Sequence, residues 1–386
     1  MSEILIAERP KGWNLYRLGQ VFEEKKQKAS DKDFQALSVT MQGIVPQLET
    51  AAKTDDGDNR KLVRNGNYVI NSRSDRKGSG GISPLDGTVS LISIVLQPRN
   101  DIDPSFAHHL LRSVAFQEEF YRMGHGIVAD LWTTRFAEMK NIRFYLPDLP
   151  TQKRIADFLD RETSRIDQLI ERKMKLNEVL KEKRSTMIKT EIASASRRHE
   201  ADGHGSARLK HFVTLNYGDA LSSDLRNDGP VQVFGSNGVV GSHDASNALG
   251  PCIIVGRKGS HGKVNWSSNE AFCIDTAYYV DQRHCAGDLR YCFYLLTSLD
   301  LEQNTQDTGV PGLARSEAYS RKICMPSIEV QRTIASNLDW KVAKIDELSR
   351  RMNVSIDGLK EYRSSLITAA VTGQIDLNSS QQLETA

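Results

Sequence analysis

The strongest constraint on how this chain can fold is that it contains one long segment twice. The stretch "PDLPTQKRIADFLDRETSRIDQLIERKMKLNEVLKEKRSTMIKTEI" starts at Pro147 and aligns without a gap on "PSIEVQRTIASNLDWKVAKIDELSRRMNVSIDGLKEYRSSLITAAV", which starts at Pro326. Sixteen of the 46 positions are identical, at an offset of 179. Among them are Gln152 with Gln331, Ile155 with Ile334, Leu159 with Leu338, Asp160 with Asp339 and Ile166 with Ile345. A hexapeptide echoes nearly the same interval: "RKGSGG" at 76–81 returns as "RKGSHG" at 257–262, 181 residues later. The pattern is a tandem duplication: variable region, repeat, variable region, repeat.

Each repeat predicts a long helix. Proline stands at its start, where a helix tolerates it, and not in its interior. Leu338, Ile345, Met352, Leu359 and Leu366 fall every seven residues, and Leu159, Ile166, Lys173, Leu180 and Met187 hold the same places in the first copy. Leu169 and Leu176, with Leu348 and Tyr362 in the second copy, are read as the other seam position. A seven-residue apolar period describes a coiled-coil stripe. About 40 residues at ~1.5 Å each make a helix of roughly 60 Å. Two ordinary core helices are the other reading. Two similar helices in one chain pack most simply on each other, antiparallel, with a face of each left for a partner. The charged positions Arg154, Arg161, Arg172 and Lys181, and Arg332, Arg350 and Lys360, are candidates for that face.

The variable regions differ in character. "RNGNYVINSRSD", "GTVSLISIVLQP" and "IRFYLP" in the first, and "PVQVFGSNGVVG", "GPCIIVGRKGS" and "FCIDTAYYV" in the second, are strand-rich with glycine and asparagine turns. Each also holds a helical stretch, "PSFAHHLLRSVAFQEEFYRM" and "LRYCFYLLTSL". The fold class is α+β. Domains are expected at 1–146 and 208–325, repeat helices at 147–193 and 326–375, a polar linker at 194–207 and a tail at 376–386.

Little here points to catalysis. "GRKGSHGKV" at 256–264 resembles a phosphate-binding loop, but its glycines stand one residue too far apart. Val264 occupies the place of the magnesium-binding hydroxyl. No adenine-methylation motif, cofactor fingerprint or partnered nucleophile is evident. The five cysteines lack a CxxC pair and the nine histidines lack ligand spacing, so no metal site is expected. Unpatterned cysteines, the absence of a long apolar run and an opening "MSEILIAERPKGW" without a leader pattern suggest a cytoplasmic protein off the membrane. The net charge of +2 is spread evenly, with 20 basic against 18 acidic residues in 1–146 and 11 against 13 in 201–325. Nucleic-acid binding would therefore need local patches or a partner's positive field.

The chain resembles the specificity (S) subunit of Type I restriction-modification systems over nearly its whole length. The resemblance rests on "LPDLPTQKRIADFLD" at 146–160, "LITAAVTGQIDL" at 366–377, "VFGSNGVVG", "IIVGRKGSHGKV" and "IDTAYYV", with "NRKLVRNGNYVINSRSD" and "MGHGIVADLWTTRF" in the first region. It implies two target-recognition domains, each reading one half of a split double-stranded DNA site. It implies an antiparallel coiled coil that spaces them and docks two modification (M) subunits. Those hold S-adenosylmethionine and methylate adenine, while restriction (R) subunits would add ATP- and Mg-dependent cleavage. The S subunit carries no cofactor or active site of its own. The competing reading is a non-catalytic coiled-coil scaffold whose globular domains bind other proteins.

Base reading needs side chains that fork onto base edges and short hydroxyls that reach phosphates. In the second domain the candidates are Ser236, Asn237, Arg257, Lys258, Ser260, His261 and Lys263. In the first they are Arg73, Ser74, Arg76, Lys77 and Ser79, with Thr133, Thr134 and Arg135 from "LWTTRF". The hexapeptides pair Arg76 with Arg257, whereas aligning the preceding strands "YVIN" and "CIIV" pairs Arg73 with Arg257. The sequence leaves both registers open.

Overall fold

A computed structural model describes residues 8–47, 57–126, 132–203, 205–302 and 312–375. The expected tail at 376–386 lies outside them. The chain forms two compact units, residues 1–173 with 354–386 and residues 174–353. Each unit joins one variable region to a stretch of each repeat helix. The repeat helices are thus built into the two cores and are not separate spacer domains.

In the first unit, strands Asn14–Arg17 and Arg143–Leu146 pair antiparallel and tie the two ends of the variable region together. A four-stranded sheet follows the order Phe22–Lys25, Ser93–Pro98, Tyr68–Asn71, Gly80–Ile82. Among the described residues a three-stranded sheet of Lys28–Ala29, Arg60–Val63 and Gly87–Val89 and the hairpin of Leu37–Thr40 with Gly43–Pro46 complete the strands. The expected single helical stretch is two helices, Pro104–Arg112 and Val114–Arg122. Ser113 takes an extended conformation between them, and its hydroxyl oxygen caps the second by accepting from Phe116 N–H. Phe22, Tyr68, Leu96, Phe106, Phe116, Phe120 and Phe144 form the core with Ile155, Leu159 and Ile166 of one repeat helix and Leu366, Ile367 and Val371 of the other.

The second unit repeats the plan. Ala207–Arg208 pairs with Lys322–Ile323. The four-stranded sheet runs Asn216–Tyr217, Ala277–Asp281, Cys252–Gly256, Val264–Ser267. In chain order both sheets run first, fourth, second, third strand. A second sheet holds Val231–Gly235 between Gly238–His243 and Ala271–Cys273. Ile188 and Ile192 of the first repeat helix and Ala335, Leu338 and Val342 of the second enter this core. The first unit uses the start of one repeat and the end of the other, and the second unit uses the complementary stretches.

The central helix spans Leu149–Ala201 and the closing helix Ile328–Val371. The linker expected at 194–207 is therefore helical as far as Ala201. Ala195 is buried in line with Ile188 and Ile192, and the first backbone that a helix cannot hold is Gly203 at φ +86°. Along both helices Leu159, Ile166, Leu338, Ile345 and Leu366 are buried, and Leu180, Met187, Met352 and Leu359 are half-buried. The second seam position is corrected: Leu169, Leu176, Leu348 and Tyr362 are exposed. Burial falls instead on Ile155, Ile188, Ala335, Val342 and Ile356, and a buried Asn177 donates its amide to Asn353 Oδ1 at 2.9 Å.

The identical repeat residues fasten each variable region to its helix. Gln152 Oε1 accepts from Asp103 N–H at 2.9 Å, and its Nε2 donates to Pro147 O and Asp101 O. Its copy, Gln331, accepts from Asp288 N–H at 2.8 Å and donates to Pro326 O. Asp103 and Asp288 are the N-caps of the helices Pro104–Arg112 and Leu289–Ser298. Asp160 binds His109 Nε2 at 2.7 Å, while its copy Asp339 accepts from Tyr294 Oη at 2.6 Å and Arg290 Nε at 2.7 Å.

Candidate nucleic-acid interface

In both domains the basic, glycine-bearing loop links the third strand of the four-stranded sheet to its edge strand. Residues 72–79 follow Tyr68–Asn71, and residues 257–263 follow Cys252–Gly256. The two hexapeptides therefore occupy matching places. Hydrogen bonds fix the register between them. Ser72 O accepts from Thr134 N–H at 3.0 Å, as Arg257 O accepts from Leu313 N–H at 2.8 Å. Arg73 bridges to Thr133, as Lys258 bridges to Gly312. Structure thus pairs Ser72 with Arg257 and Arg73 with Lys258, which is neither register that the sequence offered. The first loop carries its extra residues as a short turn of helix, Ser74–Arg76. Gly78 and Gly259 adopt φ +83° and +71°, which a side chain would strain.

In the second domain the loop and the turn at Ser236 and Asn237 come together. Lys263 Nζ donates to Asn237 Oδ1 at 2.7 Å and to Asn237 O at 3.2 Å. Gly256 permits this approach, because a Cβ there would stand 2.2 Å from Ser260 O and 2.8 Å from Ser236 O. Thr276 O accepts from the backbone N–H groups of both Arg257 and Lys258. The Arg257 guanidinium donates to Asp275 O at 3.0 Å and lies 4.7 Å from the centre of the Tyr217 ring. Arg315 lies 4.2 Å from the same ring. Tyr217, 45% exposed, is thus stacked with two guanidinium groups, and Tyr278 supports it with ring centres 5.2 Å apart. The Tyr278 hydroxyl donates to Leu313 O, and burial pushes its pKa up to about 12. Lys258, Ser260 and Lys263 are exposed beside this cluster.

In the first domain Arg73, Arg76, Lys77 and Arg135 are exposed, and Ser74 and Thr133 are half-buried. Backbone bonds from Ser74 N to Trp132 O and between Thr133 and His125 hold the loop against the segment 132–135. Lys77 is paired with Glu118, and Arg76 lies 3.6 Å from Asp75. Arg135 sits before the short helix Phe136–Met139, where its N–H donates to Glu138 Oε2.

Two candidates are buried, and the ring of a third is engaged by the backbone. Thr134 is fully buried, and its hydroxyl donates to Phe120 O at 2.8 Å. Ser79 is buried, with its backbone joined to Arg76 and Asn71. His261 sets its two ring nitrogens 3.1 Å from Gly259 O and Glu302 O, so its ring pins the loop. Sequence reasoning missed Tyr217 and Arg315. They lie about 40 and 58 residues from Arg257, and neither belongs to a repeated motif.

Among the described residues no group of histidine, cysteine and carboxylate side chains could hold a metal ion, and no helix is long and apolar enough to cross a membrane. All five cysteines are buried thiols.

Comparison with known proteins agrees with the duplicated plan. The specificity subunit of the Type I restriction enzyme EcoprrI of Escherichia coli is 30% identical over 133 residues, 34% of this chain and 31% of that protein. The EcoBI specificity subunit of Escherichia coli is 24% identical over 125 residues, 32% of this chain and 26% of that protein. The alignments therefore span less than a third of these relatives' own length. A solved chain from a study of complex assembly and conformational transition of the type I R-M system shares the fold. Its TM-score is 0.73 at 16% identity, covering 96% of this chain and 100% of that one. The sequence pattern of the Type I restriction modification DNA specificity domain matches twice, over residues 10–181 and 205–356. With these two matches together spanning well over half of its length, the chain belongs to the Type I restriction modification DNA specificity domain family.

Proposed function

We propose that this chain is the sequence-specific DNA recognition subunit of a Type I restriction-modification complex and does no chemistry of its own. Each variable region is a target-recognition domain that reads one half of a bipartite site. The paired helices fix the spacing of the two domains and dock two methyltransferase subunits, which hold S-adenosylmethionine. Restriction subunits, with ATP and Mg, complete the assembly in the cytoplasm. The observation that carries this reading is the matched loop. Two sheets present the same basic, glycine-bearing turn, each clamped to a following segment through the same two backbone contacts.

The helices favour docking through apolar as well as charged positions. Leu169, Met174, Leu176 and Val179 on the central helix are exposed, as are Trp340, Leu348, Val354 and Tyr362 on the closing helix. Exposed apolar side chains of this size on a helix mark a surface that a partner covers. The scaffold alternative uses the same helices but leaves the two basic loops without a role.

The test is duplex binding by the chain with and without its methyltransferase partner. Weak, strongly salt-dependent binding should become sequence-specific when the partner is added, and should depend on the gap between the half-sites. Equal affinity for all duplexes in the assembled complex would refute the proposal.

A further inference from the structure

A cleft of about 310 Å³ opens in the first unit, lined by His108, Arg112, Gln117, Asp160, Lys360 and Arg363 among others. Three cations face it against one acid, and that acid, Asp160, is held by His109 Nε2 at 2.7 Å. Arg363 shares Asp167 at 2.9 Å, and Lys360 reaches Asp357 at 3.3 Å from an exposed position. Arg112 differs. It is half-buried, its guanidinium donates to Met41 O, and it lies 3.3 Å from His108 Nε2. Among the described residues no carboxylate stands within ion-pair distance of it.

The histidine makes the lack of an acceptor specific. His108 Nδ1 accepts from Ile82 N–H at 3.3 Å, which leaves the ring proton on Nε2. Burial, with Arg112 beside it, holds the His108 pKa down to about 3, so the ring is neutral with a single N–H. The Arg112 guanidinium thus meets a neutral ring, 3.3 Å from His108 Nε2, and not a carboxylate.

In the second unit the repeat copy of Asp160 is engaged differently. There Arg290 pairs with Asp339, the repeat copy of Asp160, and packs 4.4 Å from the Trp266 ring and 4.8 Å from the Phe293 ring. The cleft in the first unit thus carries three cations against one acid. We propose that it is an anion site for a phosphate group, free or carried by a polynucleotide backbone. Gly78 of the basic loop also lines it, which sets it beside the candidate DNA face. The site does not depend on which side chains read bases.

The test is a titration of the full chain with inorganic phosphate at constant ionic strength, followed by 31P NMR and calorimetry, with chloride as the control. Saturable binding is expected, weakened about tenfold or more in Arg112→Gln, because a charge-assisted bond is lost. Should Arg112→Gln fail to fold, Lys360→Gln carries the test from its exposed position, with a loss of several-fold. No saturable binding by the native chain, or native-like binding by both folded variants, would overturn the site. Adding nonspecific duplex identifies the source. Displacement of phosphate assigns the cleft to the DNA backbone, and simultaneous binding assigns it to a free phosphate compound. Loss of sequence-specific binding by the assembled complex with phosphate binding intact would fault the recognition reading and leave this site standing.

Discussion

Arg184 Nε lies 2.9 Å from Asp346 Oδ1, and the repeat reproduces this contact with the helices exchanged: Arg363 Nε lies 2.9 Å from Asp167 Oδ1. Arg363 is the repeat copy of Arg184, and Asp346 is the copy of Asp167. Two copies of one helix that pack antiparallel must exchange partners in this way. Parallel helices in register would set each residue beside its own copy.

That exchange predicts the outcome of a charge swap. Asp346→Arg should cost about 1 kcal/mol, since an exposed like-charge pair replaces an exposed ion pair. Adding Arg184→Asp should restore most of the loss. Urea unfolding at low ionic strength is the right measurement, because guanidinium salt would screen the effect. A double variant no more stable than Asp346→Arg would place these residues out of contact.

The buried glutamines should matter more than any surface pair. Gln152→Leu strips partners from Asp103 N–H, Asp101 O and Pro147 O, and Gln331→Leu does the same to Asp288 N–H and Pro326 O. Each stranded buried group costs about 1–3 kcal/mol. Thermal unfolding should show a large loss for both variants. A loss below about 0.5 kcal/mol would mean that the glutamines do not fasten the variable regions.

Acid should weaken the first unit through His108. Its folded pKa, about 3, lies below the ordinary histidine value of 6.5, so the unfolded chain binds the extra proton between those values. The stability is fully present above pH 6.5 and is lost as pH falls toward 3. The slope contributed by one such group is at most about 1.4 kcal/mol per pH unit. His108→Gln should flatten stability against pH in this window. An unchanged slope would mean that the ring is not held neutral by burial.

The corrected seam separates two substitutions that the heptad alone treats alike. Ile166→Asp buries a charge among Leu159 and its neighbours and should cost several kcal/mol, about 3 or more. Leu169→Asp falls on an exposed position and should stay within about 0.5 kcal/mol. Calorimetric melting checks both, and equal losses would restore Leu169 to the seam.

The duplication, the antiparallel helices and the α+β class were legible because they rest on local period and on identity between distant segments. What was illegible depended on contacts between segments that share no pattern. Gln152 and Asp160 were visible as identities, but their roles needed Asp103 and His109, which lie in variable sequence. Seven-residue spacing marked Leu169 and Leu176 as inside, yet which flank of the stripe is covered depends on the facing helix, where Asn177 meets Asn353. The stretch after Ser194 looked like a linker from its polarity, although Ile192 and Ala195 anchor it in a core. Arg257 stood out by its motif. Tyr217, which stacks on it, carried no signal, because the two meet only across the folded sheet, with Ala277–Asp281 between their strands.

The central claim, one domain for one half-site, meets its most direct test in a library of duplexes randomised in both halves and bound by the chain with its methyltransferase partner. Arg257→Ala and Arg315→Ala should relax discrimination by about 1–3 kcal/mol at positions of one half only, and Arg73→Ala should do so in the other half. If any of these variants changes the preference in both halves, or if all three leave both halves unchanged, the division of reading between the two domains is wrong.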